Sequence, residues 1–295
     1  MKHTLIVSTL MVLASCASPP SAYRGAVQGS GDEVERHLTS RYSDVSENCG
    51  AASKPAFLCT GLLIRGTSYN PGRHSWDNSP ANHTSGGVSF SFLRTDSKYA
   101  KLAYGYVNGY VFLPYDHAGG KLHPEILCSF PIDAATSARG DKGCGASSGV
   151  AGSGVCQSQG IYTAQQWYTH YRSTTGNQRT HQCGFDVKDV LNEQATTAFN
   201  TSIAAMALLG AESFATQNEV RIAVWPDGSG STVPLEAFFY IDGSSSGRID
   251  AQNDQRDLFT THQLAIPVIS VRLPSSTSQS ATFKYIAGDQ VIALP

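Results

Sequence analysis

Six of the seven cysteines lie between positions 49 and 183, and they constrain the fold of the chain more than any other feature. They are Cys49, Cys59, Cys128, Cys144, Cys156 and Cys183. An even number of cysteines in an exported chain favours disulfides over metal or thiol chemistry. Short loop length predicts local pairs between Cys49 and Cys59 and between Cys144 and Cys156. Cys128 and Cys183 then remain and are predicted to form the third disulfide, which closes a long loop.

The N-terminal residues predict export. Lys2 precedes a run of mostly apolar residues at 5–13, and the small-residue sequence "LASC" ends at position 16. A basic start, a short apolar run and small residues before the cut are the three parts of an export signal. The apolar run is too short to span a bilayer, which needs about 20 residues. We therefore assign residues 1–16 to an export signal.

The sequence "LASC" also resembles the lipobox of bacterial lipoproteins, in which the cysteine becomes the acylated first residue. This resemblance implies lipidation of Cys16 and attachment to a membrane, as in an outer-membrane lipoprotein. The alternative is an ordinary cut near Ala17, which would release a soluble secreted protein. Both interpretations predict an exported chain.

Charge and motif spacing argue against two classes of ligand. The chain has 21 Lys and Arg residues and 23 Asp and Glu residues, with no basic block. Nucleic-acid binding depends on neutralisation of phosphates by Lys and Arg, so nucleic acid is not an expected partner. The sequence contains no Cys-x-x-Cys and no His-x-x-x-His pair, so no metal site is predicted.

The chain divides by composition into three parts. After the export signal, residues 17–48 are polar with few large apolar side chains, which predicts a flexible tether. No linker interrupts the chain from Cys49 onward, so residues 49–295 are assigned to a single catalytic domain.

Strand patterns outnumber helical patterns. Strands are predicted in "AFLCTGLLIRG", "GGVSFSFL", "NEVRIAVW", "LEAFFYI" and "AIPVISVRL", and the third and fourth are expected to be joined by a Gly-rich turn. Helices are predicted at 162–171 and in "TTAFNTSIAAMALLGAE". Because strands and helices do not alternate regularly, the sequence predicts a strand-rich α+β fold with a few helices, stapled by disulfides.

Two polar elements lie on predicted strands. Arg65 follows an apolar run and precedes Gly66, so its guanidinium is expected at a strand end, where it can bind phosphate or carbonyl oxygens. Ser89 and Ser91 are two residues apart, so their hydroxyls share one strand face while Phe90 faces the other. The alternatives are a surface arginine and an edge strand with solvated serines.

Glu219 is an acid at the start of an apolar, β-branched run. Its carboxylate is suited to stabilise a developing positive charge, as carboxylates do in glycoside cleavage. Gln217 lies two residues earlier on the same strand face and could position a hydroxyl or a water. The alternative is a structural role for Glu219, paired with Arg221 on that face.

The order of these elements resembles that of a known enzyme group. Arg65, the Ser89–Ser91 strand and the Gln-x-Glu at Glu219 occur in the order Arg, Ser-x-Ser, Glu of bacterial ADP-ribosyltransferase toxins and NAD glycohydrolases. The sequences "LLIRGTS", "GGVSFSFLRTD", "CGFDV" and "AFFY" further resemble the halovibrin-like family of exported bacterial proteins. The resemblance runs from about Cys49 to the C-terminus.

The resemblance implies a split sheet like that of the ADP-ribosyltransferases and a role for each matching residue. Arg65 would hold the phosphates or a ribose of NAD. Ser89 and Ser91, with Phe90 between them, would line the nicotinamide pocket and orient the acid. Glu219 would bind the nicotinamide ribose and stabilise the oxocarbenium-like transition state. NAD would be the substrate, so no bound cofactor is implied.

The sequence departs from the toxin pattern at two points. Gln217 stands where many arginine-modifying transferases carry a second glutamate, which weakens the case for transfer to arginine. About 130 residues separate the serine strand from Glu219, and a second serine element, "RSTTG" at 172–176, is nearer to Glu219. Hydrolysis and transfer to another protein acceptor both stay open.

The sequence thus predicts an exported NAD glycohydrolase or mono-ADP-ribosyltransferase. The principal rival is a secreted or surface-anchored module that binds carbohydrate or protein without catalysis, through aromatic side chains such as Trp76, Tyr104, Tyr106 and Tyr110. A third interpretation is an unrelated exported hydrolase that uses Asp and Glu. Convergence of Arg65, a serine strand and Glu219 in one cleft would favour the NAD enzyme, and scattered positions would contradict it.

Overall fold

The computed structural model describes most of the chain after the predicted export signal. The described residues are 30–72, 74, 76, 87–113, 125–134, 144, 154–176, 178–188, 192–223 and 235–294. The predicted export signal and the lipidation candidate Cys16 lie outside these residues, as does the first part of the predicted tether.

Ten strands in the described residues form one mixed sheet. Their bounds are Leu62–Thr67 (β1), Val88–Leu93 (β2), Asn108–Phe112 (β3), Glu125–Phe130 (β4), Gly154–Val155 (β5), Cys183–Asp186 (β6), Glu219–Ala223 (β7), Leu235–Ile241 (β8), Val268–Arg272 (β9) and Thr282–Tyr285 (β10). The order across the sheet is β10-β9-β8-β3-β1-β2-β7-β4-β6-β5. The pairs β8–β9 and β5–β6 are parallel, and the other neighbours are antiparallel.

Six α-helices accompany the sheet in the part of the chain described. They are Gly31–Ser43 (α1), Ala164–Ser173 (α2), Gln178–His181 (α3), Glu193–Leu209 (α4), Ala211–Ala215 (α5) and Ser245–His262 (α6). Both predicted helices are present, as α2 and α4, and the predicted α+β class is confirmed. Helix α6 joins the parallel strands β8 and β9, which a short hairpin could not do.

All five predicted strands are present, but one predicted connection is wrong. The segments that form β7 and β8 were expected to be two strands joined directly by a Gly-rich turn, as in a hairpin. Strand β7 pairs with β2 and β4, whereas β8 pairs with β3 and β9. Three strands therefore lie between β7 and β8 in the sheet, so these two strands do not pair with each other.

Side chains are buried on both faces of the sheet. This follows because successive side chains along each central strand point to opposite faces. In β1, Leu62 and Ile64 belong to one core cluster and Leu63 to the other. The cluster containing Leu63 also receives side chains from α2, α4 and α6, including Trp167 and Phe199. The opposite cluster is covered by α1. The ten-stranded sheet is therefore the central layer.

The predicted tether is wrong over Gly31–Ser43, where the chain forms α1. Ser30 and Glu33 form a capping box at its N-terminus, which satisfies main-chain N–H groups that the helix leaves unpaired. Val34, Leu38 and Tyr42 are buried in the core against β1, β8 and β9. Only these few large apolar residues, spaced along one helix face, distinguish the segment from a polar tether.

Two of the three predicted disulfide pairings are wrong. The structure contains Cys49–Cys59, as predicted, but also Cys128–Cys144 and Cys156–Cys183. Strand β5 pairs in parallel with β6, with Gly154 opposite Cys183, and this register brings the next cysteine, Cys156, to Cys183. Sheet pairing, rather than loop length, decides the partners.

Three disulfides are typical of an oxidising, extracellular-type compartment, where they form and persist. Within the described ranges, none of the helices combines the length and apolar character needed to cross a membrane.

Burial changes the pKa of one acid in helix α6, which packs against the sheet. Asp254 in α6 is 2 % exposed, and its Oδ1 accepts a hydrogen bond from Trp76 Nε1 at 3.2 Å. Burial raises the pKa of Asp254 to about 7, and the charges of Asp257 and Asp250 add to the rise, while the Trp76 hydrogen bond opposes it.

Leu38→Ala tests whether α1 is part of the folded core. Truncating this fully buried side chain is expected to lower the free energy of unfolding by about 2–5 kcal/mol, measured by urea denaturation. Val45→Ala, at a residue 52 % exposed, is the control and should change stability by less than about 0.5 kcal/mol. Equal stability of the two variants would indicate that residues 30–48 are a tether and not part of the folded core.

Asp254→Asn tests the buried acid through pH. From about pH 4, near its ordinary pKa of 3.8, to about pH 7, the folded chain keeps a proton on Asp254 that the unfolded chain has released. Stability is therefore expected to fall as pH rises through this window. The asparagine variant should show a shallower fall and exceed the wild type in stability above pH 7. Stability is measured by urea denaturation at several pH values in this range. If it falls with pH equally steeply in both proteins, the assignment is contradicted.

Candidate functional site

The sheet opens at one point, between β1 and β2. These strands pair at Leu62 with Leu93, Leu63 with Phe92 and Ile64 with Ser91. Beyond this point β1 continues along β3, and β2 continues along β7. In place of the next ladder bond, the side chain of Arg65 donates from Nη1 to the carbonyl oxygen of Ser89 at 2.7 Å. The two strands part there, and their side chains border a cleft.

A cavity of about 180 Å³ lies where β1 and β2 part. Its walls come from the adjacent strands β1, β2 and β7 and from two connecting segments that contribute Tyr104, Tyr106 and Asp133. All six site residues predicted from the sequence line it: Arg65, Ser89, Phe90, Ser91, Gln217 and Glu219. The fold thus brings together side chains from three separate parts of the sequence.

Glu219 is one of two acids that line this cavity, and its carboxylate is held from two sides. Its Oε1 accepts a hydrogen bond from Ser89 Oγ at 2.6 Å, and its Oε2 accepts one from the main-chain N–H of Ala134 at 3.1 Å. Glu219 is only 2 % exposed. A buried carboxylate fixed in this way is preorganised, because its direction is set before any ligand binds.

Arg221 pairs with Glu219, as the structural alternative anticipated. Its Nη1 lies 3.4 Å from Glu219 Oε1 and donates to Ser89 Oγ at 2.8 Å, while Nη2 donates to the carbonyl oxygen of Gly87 at 2.8 Å. Burial lowers the pKa of Arg221; attraction to Glu219 opposes this, and the like charge of Arg65 adds to it. The pair is buried, yet Glu219 still borders the cavity, so pairing and contact with a ligand are compatible.

The two serines have different roles. Ser89 bridges Glu219 and Arg221, whereas the Ser91 hydroxyl contacts the Tyr99 hydroxyl at 2.7 Å and donates to the carbonyl oxygen of Ile64 at 3.2 Å. Ser89 is therefore the serine that orients the acid. Ser91 closes the floor of the cavity where β1 and β2 are last paired.

Arg65 lies inside β1 rather than at the strand end that the sequence predicted. Its Nε is buried and makes no hydrogen bond to the residues described. An unpaired buried N–H costs about 1–3 kcal/mol, so it favours a ligand that would accept from it. The next residue, Gly66, leaves room for Tyr106, because a Cβ at position 66 would lie 2.8 Å from the Cβ of Tyr106.

Gln217 and Tyr104 form the outer wall of the cavity. Gln217 Oε1 accepts from the main-chain N–H of Ala103 at 3.1 Å, and its NH₂ group makes no hydrogen bond within the described part of the chain. Tyr104 is 82 % exposed and has a φ of 55°, in the left-handed region that non-glycine residues rarely adopt. Such strain is concentrated at functional sites, and here it holds an aromatic ring at the cavity mouth.

Several other candidates lie elsewhere. Ser173 and Thr174 of the second serine element both donate to the carbonyl oxygen of His170 at the end of α2, and neither lines the cavity. Trp76 and Tyr110, proposed as surface aromatics, are fully buried in the core.

The sequence analysis missed Asp133 and Ala134, which border the acid. Their signal was weak: "FPIDAA" places an acid just after the strand β4, with no recognisable motif around it.

The described residues contain no group of three or more His, Cys, Asp or Glu side chains suited to hold a metal ion. Comparison with protein-family models and with curated proteins finds no match for this chain. Its function is therefore argued from the cavity itself.

Proposed function

We propose that this chain is an exported enzyme that cleaves the nicotinamide–ribose bond of NAD and passes ADP-ribose to water or to a protein acceptor. The observation that carries the proposal is the convergence of Arg65, Ser89 and Glu219 in one cavity. Each lies on a different strand, and the three strands are adjacent. The opening between β1 and β2 also supports the split sheet that the resemblance to ADP-ribosyltransferases implies.

The chemistry proposed for this cavity is the loss of nicotinamide. The C–N bond to the ribose breaks, and its electron pair goes to the nicotinamide nitrogen, which becomes neutral. The ribose acquires oxocarbenium-like positive charge, which the carboxylate of Glu219 stabilises. Water then attacks the ribose carbon and loses a proton to solvent. Because Ser89 and Ala134 already orient the carboxylate, little reorganisation is needed as charge develops.

Gln217 is proposed to position the acceptor. A neutral amide cannot remove a proton from an acceptor, but its NH₂ group can hold a water or a hydroxyl near the ribose carbon. This favours hydrolysis or transfer to an acceptor other than arginine. Arg65 is proposed to bind the substrate, because its side chain lines the cavity and its Nε makes no hydrogen bond to the described residues.

The binding-module alternative receives less support. It depends on an exposed aromatic surface, yet two of its four aromatics, Trp76 and Tyr110, belong to the core. The other two, Tyr104 and Tyr106, line the cavity beside Glu219. They are better placed to contact a ligand in the cavity than to form a separate surface.

We further propose that the enzyme is secreted or is anchored as an outer-membrane lipoprotein through Cys16, on the strength of the "LASC" sequence. Cys16→Ser is expected to move the protein from the membrane fraction to the soluble fraction, because no acyl chain can then be attached. Fractionation of cells expressing both forms measures this. A wild-type protein that is already wholly soluble would rule out the lipid anchor.

Glu219→Gln tests the catalytic role. The variant is expected to release nicotinamide from NAD about 10²–10³-fold more slowly, the scale seen when one preorganised electrostatic group is lost. It should also be less stable by about 1–3 kcal/mol, because a single amide oxygen cannot replace both carboxylate oxygens beside buried Arg221. Chromatographic assay of nicotinamide, with urea denaturation alongside, measures both effects.

Glu236→Gln is the matched control. Glu236 is likewise fully buried and paired with an arginine, Arg41, but it lies on β8 against α1 and does not line the cavity. It should lose comparable stability and keep its activity. If the two variants lose activity equally, the loss reflects destabilisation, and Glu219 becomes a structural acid.

A further inference from the structure

A second cavity adjoins the first on its outer side. It has a volume of about 450 Å³ and shares Ala103, Tyr104, Asp133 and Gln217 with the first cavity. Ligands of cofactor size usually occupy about 300–1,000 Å³, so the first cavity alone is too small for a dinucleotide. A dinucleotide with its nicotinamide end beside Glu219 has to extend beyond that cavity, and the second cavity is adjacent to it, with four wall residues in common.

The second cavity carries two cationic side chains, Lys101 and Arg179. Arg179 is fixed by Asp133: its Nε donates to the main-chain carbonyl oxygen at 2.9 Å, and its Nη2 pairs with the carboxylate. The side chain is still 39 % exposed, so a ligand can reach it. With one carboxylate against two cations, the charged lining of this cavity keeps a net positive charge.

The dipeptide of Asp133 and Ala134 links the two cavities. Asp133 holds Arg179, while the next residue, Ala134, donates its N–H to Glu219. Asp133 and Ala134 are consecutive, so one short main-chain segment contacts both the cationic side chain and the acid. Asp133 also donates its main-chain N–H to the carbonyl oxygen of Gln217 at 2.6 Å, which ties the dipeptide to the wall between the cavities.

We propose that the second cavity binds the diphosphate of the dinucleotide, with Arg179 and Lys101 as its cationic ligands. This inference rests on the proposed function. A planar guanidinium held in place by a carboxylate is suited to bind phosphate oxygens in a defined direction. Arg65, inside the first cavity, then contacts the nicotinamide ribose rather than the phosphates. Arg179 and Lys101 would make the enzyme select a dinucleotide over a nucleoside.

Arg179→Gln and Lys101→Gln test this assignment with two substrates. NAD carries the diphosphate, whereas nicotinamide riboside has the same scissile bond and no phosphate. Arg179→Gln is expected to raise the KM for NAD about 10-fold, through loss of a charge-assisted hydrogen bond. The KM for the riboside should change less than about twofold. Lys101→Gln, at an exposed residue, should act in the same direction and guards against misfolding of the first variant.

Arg172→Gln is the control. Arg172 is also partly exposed and paired with a carboxylate, that of Glu212 at 2.9 Å, but it lines neither cavity. Its KM values for both substrates should match those of the wild type. The assignment is overturned if Arg179→Gln and Lys101→Gln leave the KM for NAD unchanged, or raise it equally for the riboside.

Calorimetric titration with ADP-ribose separates this inference from the proposed function. If the wild type cleaves neither substrate, the proposed function fails. Binding of ADP-ribose that weakens about 10-fold in Arg179→Gln would still support a diphosphate site. ADP-ribose that does not bind, or binds both proteins equally, overturns the site.

Discussion

The buried ion pair between Glu219 and Arg221 is the interaction on which the cavity depends. The two residues are two positions apart on one face of β7, and both are almost fully buried. Burying two charges is costly unless the pair is well formed and the remaining hydrogen-bonding groups are satisfied. Here Ser89, Ala134 and Gly87 supply those partners. The pair therefore holds β2, β7 and the segment after β4 together where the sheet opens.

The same network explains how an acid can be both structural and available to a ligand. Arg221 and Ser89 both approach one carboxylate oxygen of Glu219, and Ala134 approaches the other. Ser89 is held in turn through its carbonyl oxygen by Arg65, on the far side of the opening. A change at any one of these residues displaces the others, so their effects on stability and on activity are expected to be coupled.

Sequence patterns were informative where one physical rule decided the outcome. Alternation of apolar residues located β1, β2, β7, β8 and β9, and helical spacing located α2 and α4. Helix α6 was missed because much of its sequence, "SSGRIDAQNDQRDLFTTH", is polar, and it buries only a few side chains against β8 and β9. Two of the predicted disulfide pairings were wrong because loop length contains no information about the pairing of β5 with β6.

The site was predicted from the sequence only in part. The order of Arg65, Ser89 and Glu219 suggested a common site through resemblance, but their adjacency depends on β1, β2 and β7 being neighbours in the sheet. Asp133 was not anticipated, because it reaches the cavity through the tertiary fold and has no motif around it. Tyr104 was noticed as an aromatic, but its left-handed backbone and its position at the cavity mouth are properties of the fold.

The most direct test of the central claim is incubation of the purified wild-type protein with NAD, followed by chromatographic separation of the products. We expect nicotinamide to appear in an amount equal to the NAD consumed, with ADP-ribose found free or attached to a protein acceptor. NAD that remains intact, in the presence of a protein whose circular dichroism and disulfide content show it to be folded, would contradict the account.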